Sequence, residues 1–178
     1  PLPLDPRRSN GVKLNVTKDG IVVCGAPIGT RDFVKSFLDE RCSLAKAKVD
    51  TLSKFTKEDP QAYLQLMTVG ANVGLDYLSQ MIPPSIMQPF LHDFQQHVQR
   101  SVLQATGTNL ETLSPMRRHN ANSILSLPFN SGGTGLIPAP MKGNVNFMVS
   151  VMSAAHDPIL QRFKDALLPE VKDAYQKF

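Results

Sequence analysis

The chain has 178 residues, 42% of them hydrophobic, with 19 Lys/Arg against 15 Asp/Glu for a formal net charge of +4. That composition excludes an intrinsically disordered segment and leaves room for one domain or two small ones around a real core. The basic balance is compatible with a polyanionic partner but too mild to demonstrate one.

Charge is spread unevenly. Residues 1–60 hold 11 Lys/Arg and 8 Asp/Glu, whereas between Gln61 and Gln99 the charged side chains are Asp76 and Asp93 alone. A segment so poor in charge is expected at the centre of the fold or beneath a protein partner. Cys24 and Cys42 are too few for a disulfide framework and lack metal-site spacing, which reads as a reduced, intracellular compartment. No run of eighteen apolar residues predicts a membrane span. The opening PLPLDPRRSN has neither a signal-peptide core nor an initiator Met, as expected of a piece of something longer.

In chain order, Val12 to Val16 alternates apolar and polar residues and Ile21 to Cys24 is a short apolar run. Thr17-Lys18-Asp19-Gly20 between them predicts a β-hairpin turn, and Gly25-Ala26-Pro27-Ile28-Gly29 is expected to stop the second strand. Thr30 is the expected cap of an amphipathic helix from Arg31 to Phe55. Val34, Phe37, Leu38, Ala45, Val49 and Leu52 form its apolar stripe, with Lys35/Asp39 and Lys46/Asp50 paired four residues apart.

Asp59-Pro60 predicts a second helix running to about Met81, with Gly70 and Gly74 marking a seam of close approach. Ser85 is the expected cap of a third helix through Ala105, with Phe90, Leu91, Phe94, Val98 and Val102 inward and Gly107 as terminator. Ser114-Pro115 opens a shorter helix, and LPFNSGGTGLIPAP is a glycine- and proline-rich connection. A helix near Val145 to Ala155 follows, then a helical pair opened by Asp157-Pro158 and broken at Pro169. The fold class is therefore mainly α, an N-terminal β-hairpin and a bundle of about six helices, in segments 1–29, 30–126 and 127–178.

Catalytic patterns are incomplete. His92 and His97 stand five apart, not at the four-residue spacing that brings two imidazoles to one metal, and His119 and His156 read as surface residues. There is no G-x-S-x-G, and both cysteines lie in apolar patterns. Ser131-Gly132-Gly133-Thr134-Gly135 lacks the Gly-Lys-Ser/Thr ending of a phosphate loop. No Asp-Asp pair or D-x-D is present to hold two magnesium ions.

Several stretches nevertheless resemble one family. GVKLNVTK is similar to the Gly-x-x-Leu-Asn-x-x-Lys segment of reverse transcriptases, matched by Gly11, Leu14, Asn15 and Lys18. GIVVCGAPIG, with Gly25 and Gly29, resembles the primer-grip hairpin that supports the 3′ end of the growing strand in those enzymes. The region from Arg31 to Pro84 looks like the thumb of the retrotransposon type. LSLPFNSGGTGLIPAP resembles a Leu-Pro-x-x-x-Gly-Gly-Leu-Gly-Leu signature through Leu127, Pro128, Gly132, Gly133, Gly135 and Leu136, with Thr134 in place of leucine. The Tyr-x-Asp-Asp strand is not in the chain.

The resemblance implies the end of a palm, a thumb and post-thumb helices, as a fragment or relic that holds RNA or a primer-template duplex without polymerising. Lys18 corresponds to a lysine near the incoming nucleotide. Arg31, Lys35 and Lys46 are the expected phosphate contacts, with Arg117 and Arg118, beside His119, and Arg7-Arg8 as further candidates for RNA. No cofactor is implied for this chain, and magnesium only as part of a complete polymerase. The alternative is a domesticated structural subunit of a larger assembly, covered by a protein partner over residues 61–99.

Overall fold

The computed structural model describes residues 18–108, 112–154, 157 and 164–176. It is mainly helical, with a two-stranded antiparallel hairpin ahead of the helices, as the sequence predicts. The chain divides into two compact units, Pro1–Phe37 and Leu38–Phe178, with the division inside the first helix. The expected segment 127–178 lies within the second unit.

In the first unit, strands β1 (Gly20–Val23) and β2 (Ala26–Gly29) pair in the register Gly20↔Gly29, Ile21↔Ile28, Val22↔Pro27 and Val23↔Ala26. The hairpin therefore lies further along the chain than its expected turn. Asp19-Gly20 opens the first strand, and the residues expected to stop it form the second. The two-residue turn is Cys24-Gly25, with φ of 50° and 82°, a pair of positive values that matches the twist of a tight hairpin. The expected strand Val12–Val16 lies outside the described residues.

Helix α1 (Arg31–Ser53) begins one residue beyond the hairpin. Thr30 caps it, its Oγ1 accepting the Phe33 N–H at 3.3 Å, while its own N–H donates to the Asp19 carbonyl at 2.7 Å. A Cβ on Gly29 would run into the Asp19 carbonyl, and one on Gly20 into the Phe33 ring. Both positions require glycine for that close approach.

The second unit begins part-way along α1, where Leu38, Cys42, Ala45 and Val49 are buried. After a short 3₁₀ turn, Asp59 caps α2 (Pro60–Leu66), its carboxylate accepting the N–H groups of Gln61 and Ala62. The single helix expected to reach Met81 is instead broken. It passes into a π-turn (Met67–Ala71), then an irregular turn, then α3 (Asp76–Met81). Gly70 and Gly74 fall in the break, and a Cβ on Gly70 would meet nothing within 4 Å. The predicted seam is thus open at Gly70, while Gly74 is close to Ala45.

Helix α4 (Pro84–Ala105) buries Met87, Leu91, Phe94, Val98 and Val102, with Phe90 half-buried beside them. Pro83 occupies its cap position, and Ser85, the expected cap, donates its hydroxyl to Glu170 at 2.8 Å. Gly107 ends the turn after α4 with φ 74°, as expected. Ser114 caps α5 (Pro115–Ser126).

Helix α6 (Ala139–Ala154) starts earlier than its Met/Val pattern suggests, because Pro140 is harmless in a first turn and Gln95 of α4 accepts the Ala139 N–H at 2.8 Å. It packs against α3, α4 and α7 (Lys164–Gln176). Pro169 lies inside α7 and does not break it; packing on α6 outweighs the missing backbone bond.

The charge-poor stretch supplies the centre of this unit. Some of its polar groups make internal ties: Lys142 reaches Asp76 at 2.9 Å and the Asn72 carbonyl at 2.6 Å, and Gln88 donates to Asn144 at 2.6 Å.

Candidate nucleic-acid interface

The residues singled out by the sequence fall into two groups, one in each unit. In the first unit Lys18, Arg31 and Lys35 are exposed, Lys18 just before β1 and the other two in the first turns of α1. Thr30, tied to Asp19, fixes the exit angle from hairpin to helix. Gly25 and Gly29 have backbone reasons for their identity, the positive φ of the turn and the close crossing beside Asp19. Arg7 and Arg8 lie outside the described residues.

In the second unit Lys46 is held in an ion pair with Asp93 of α4, and Asp50 bonds His97 of the same helix at 2.8 Å. These inter-helix ties replace the Lys46/Asp50 pair read from four-residue spacing. A phosphate contact by Lys46 has to compete with that carboxylate.

Arg117 and Arg118 also belong to the second unit. They lie with His119 in the first two turns of α5, where Pro115 to Asn120 are all exposed, and no carboxylate occurs from Thr112 to Ser126. A helix with two guanidiniums and no acid of its own offers phosphate oxygens a planar, bidentate donor set.

The glycine-rich connection has a structural cause. The Gly135 N–H donates to the Leu127 carbonyl at 2.8 Å, the Leu136 N–H to Leu125 at 3.1 Å, and the Thr134 hydroxyl to the Leu125 carbonyl at 2.7 Å. A Cβ on Gly133 would run into the Leu127 carbonyl, and Gly132 and Gly135 have φ of 78° and 69°. The segment is a tight return that threads the chain from α5 into α6.

Nucleophile chemistry has no support at Cys42. Burial pushes its thiol up from the usual 9.0, with Lys46 pulling the other way, and its sulfur faces the Phe90 carbonyl at 3.8 Å. Among the described residues no group of three His, Cys, Asp or Glu converges on a possible metal position. No described helix is long and apolar enough to cross a membrane.

Sequence reasoning passed over Arg41 and Lys48, which line a groove beside α1. Their seven-residue spacing was the signal that puts both on one side of the helix. No family model, no curated protein and no solved structure matches the chain.

Proposed function

We propose that this chain holds nucleic acid through its phosphate backbone, as the hairpin and thumb region of a reverse-transcriptase-like polypeptide, and contributes no polymerisation chemistry of its own. The observation that carries the reading is the exposed start of α5, where Arg117 and Arg118 project from a helix without acidic residues. Guanidiniums placed this way release counterions on meeting phosphates and give affinity without sequence readout.

The hairpin unit supports the same reading from the other end of the chain. Lys18, Arg31 and Lys35 are exposed around a short, glycine-dependent turn joined to α1 through a single residue. In this proposal the hairpin steadies the strand end and the cations hold its phosphates. The order of the resembling motifs, from GVKLNVTK to LPFNSGGTGL, favours a primer-template duplex over an unrelated polyanion.

The test is a filter-binding titration of the whole chain against a primer-template duplex at several salt concentrations, repeated with Arg117→Ala/Arg118→Ala. Removing one phosphate-binding cation should lower the slope of log affinity against log salt by about one. Absent binding, or binding that salt does not weaken, would remove the proposal.

A further inference from the structure

A cleft of about 450 Å³ lies along α4 where the chain returns into α6, inside the second unit. Its volume is in the range of small-molecule sites, roughly 300–1,000 Å³. One wall is apolar, made by Pro138, Pro140 and the pliant side chain of Met141. Amides fasten that wall to α4: Gln88 donates to the Pro140 carbonyl at 3.0 Å and to Asn144 at 2.6 Å, and Gln95 accepts the Ala139 N–H at 2.8 Å. Gln95 and Asn144 are buried, so the cleft is a preformed part of the packed unit.

The other wall carries a second set of polar side chains on α4, His92, Gln96 and Gln99. None of the three has a hydrogen-bond partner among the described residues. They stand four and three residues apart, which makes them neighbours on one side of the helix, with polar ends that can meet one ligand edge. Among the described residues, no Asp, Glu, Lys or Arg lines the cleft.

These features select the ligand. One apolar wall facing one polar wall suits a molecule with an apolar face and a polar edge. A nucleobase is built this way: its face stacks while its edge carries donors and acceptors. A glutamine amide offers a donor and an acceptor side by side, the match for N6 and N7 of adenine. The paired acceptors of guanine call for arginine or lysine and the cytosine amine for a carboxylate, and the described lining has none of these. An extended peptide would ask for partners at a regular interval along its main chain, whereas the unpaired groups here are gathered on two turns of one helix.

We propose that this cleft binds an adenine base, its edge on Gln96 and Gln99 with His92 beside them and its face against Pro138, Pro140 and Met141. The inference does not rest on the phosphate contacts proposed above. It holds for adenosine, which has no phosphate, so its test is read apart from duplex binding.

The test is NMR of the isotope-labelled full chain titrated with adenosine, in which the glutamine side-chain amide signals report the cleft directly. Saturable shifts of the Gln96 and Gln99 amides are expected, at the same affinity in low and high salt. Purine riboside, which lacks the N6 amine, should bind at least about tenfold more weakly, and Gln96→Leu/Gln99→Leu should lower adenosine affinity by a similar factor with the unfolding midpoint kept. A short oligoadenylate strand distinguishes the two sources of the base. Tighter binding than adenosine, weakened by Gln96→Leu/Gln99→Leu, marks an unpaired base in a strand, and equal binding marks a free nucleoside. No saturable shift at Gln96 and Gln99, equal binding of purine riboside, or adenosine affinity untouched in Gln96→Leu/Gln99→Leu would each overturn the proposal.

Discussion

Helix α4 and the segment from Pro60 to Met81 come from the same charge-poor stretch, yet they behave differently. Helix α4 is continuous, and its apolar residues face inward, with Phe94, Val98 and Val102 fully buried. The earlier segment is broken by a π-turn at Gly70 and leaves Leu66, Val69, Val73, Tyr77 and Met81 exposed at three- or four-residue intervals. Low charge therefore marks two situations: a helix wrapped by its neighbours, and a segment whose outer side is apolar and exposed among the described residues. Phe94 and Val69 stand at the extremes, 0% and 75% exposed.

The largest effect should come from the wrapped helix. Phe94→Ala opens a cavity at the centre and is expected to cost about 3–5 kcal/mol in urea unfolding, whereas Val69→Ala should stay within about 0.5 kcal/mol. Comparable destabilisation at the two positions would erase the distinction.

Next come two glycines that the same comparison separates. Gly143 of α6 faces Leu91 so closely that Gly143→Ala must push a buried side chain, at a cost of about 1–3 kcal/mol. Gly70→Ala, with nothing in its way, should instead stabilise by about 0.4–1 kcal/mol by narrowing the unfolded ensemble. A shared sign for the two changes in unfolding midpoint would show that the π-turn is closed in solution.

A smaller and pH-linked effect tests the tie between the two regions. Tyr63 of α2, fully buried, shares a 2.8 Å hydrogen bond with Ser101 of α4, and Tyr63→Phe should cost about 1–2 kcal/mol by leaving Ser101 unsatisfied. Burial pushes Tyr63 up from its usual 10.0, with the Ser101 bond acting the other way, and burial likewise raises Cys42 from 9.0. The unfolded chain then loses these protons first. The stability they contribute is full below about pH 9 and falls as pH rises through the higher folded-state values. Urea midpoints that hold steady from pH 8 to pH 11 would contradict the burial of both groups.

Much of the fold was legible because local rules and packing agree. Asp59-Pro60, Ser114-Pro115, Thr30 and Gly107 mark helix ends by capping and backbone preference, and the structure uses each of them so. Two of the misreadings share a cause, since a tertiary partner changed a local preference. Lys46 and Asp50 look like an intrahelical pair until α4 brings Asp93 and His97 beside them. The start of α6 was hidden because the group that accepts its first N–H, Gln95, lies 44 residues away. Asp19-Gly20 has the composition of a hairpin turn, but Cys24-Gly25 takes that role with a non-glycine residue at positive φ, which composition does not announce.

The candidate site was half legible. Exposure of Arg31, Lys35, Arg117 and Arg118 agrees with residues chosen from pattern and resemblance, whereas the groove beside Arg41 and Lys48 needed the break at Gly70 to exist.

The central claim, that the chain grips phosphates through exposed cations in both units, is tested most directly by the salt dependence of duplex binding. Wild type is compared with Lys18→Ala/Arg31→Ala/Lys35→Ala and with Arg117→Ala/Arg118→Ala. The account predicts that affinity falls linearly with log salt, and that the triple and double variants lower the slope by about three and about two respectively. A wild-type slope of zero, or one that neither variant changes, would contradict it.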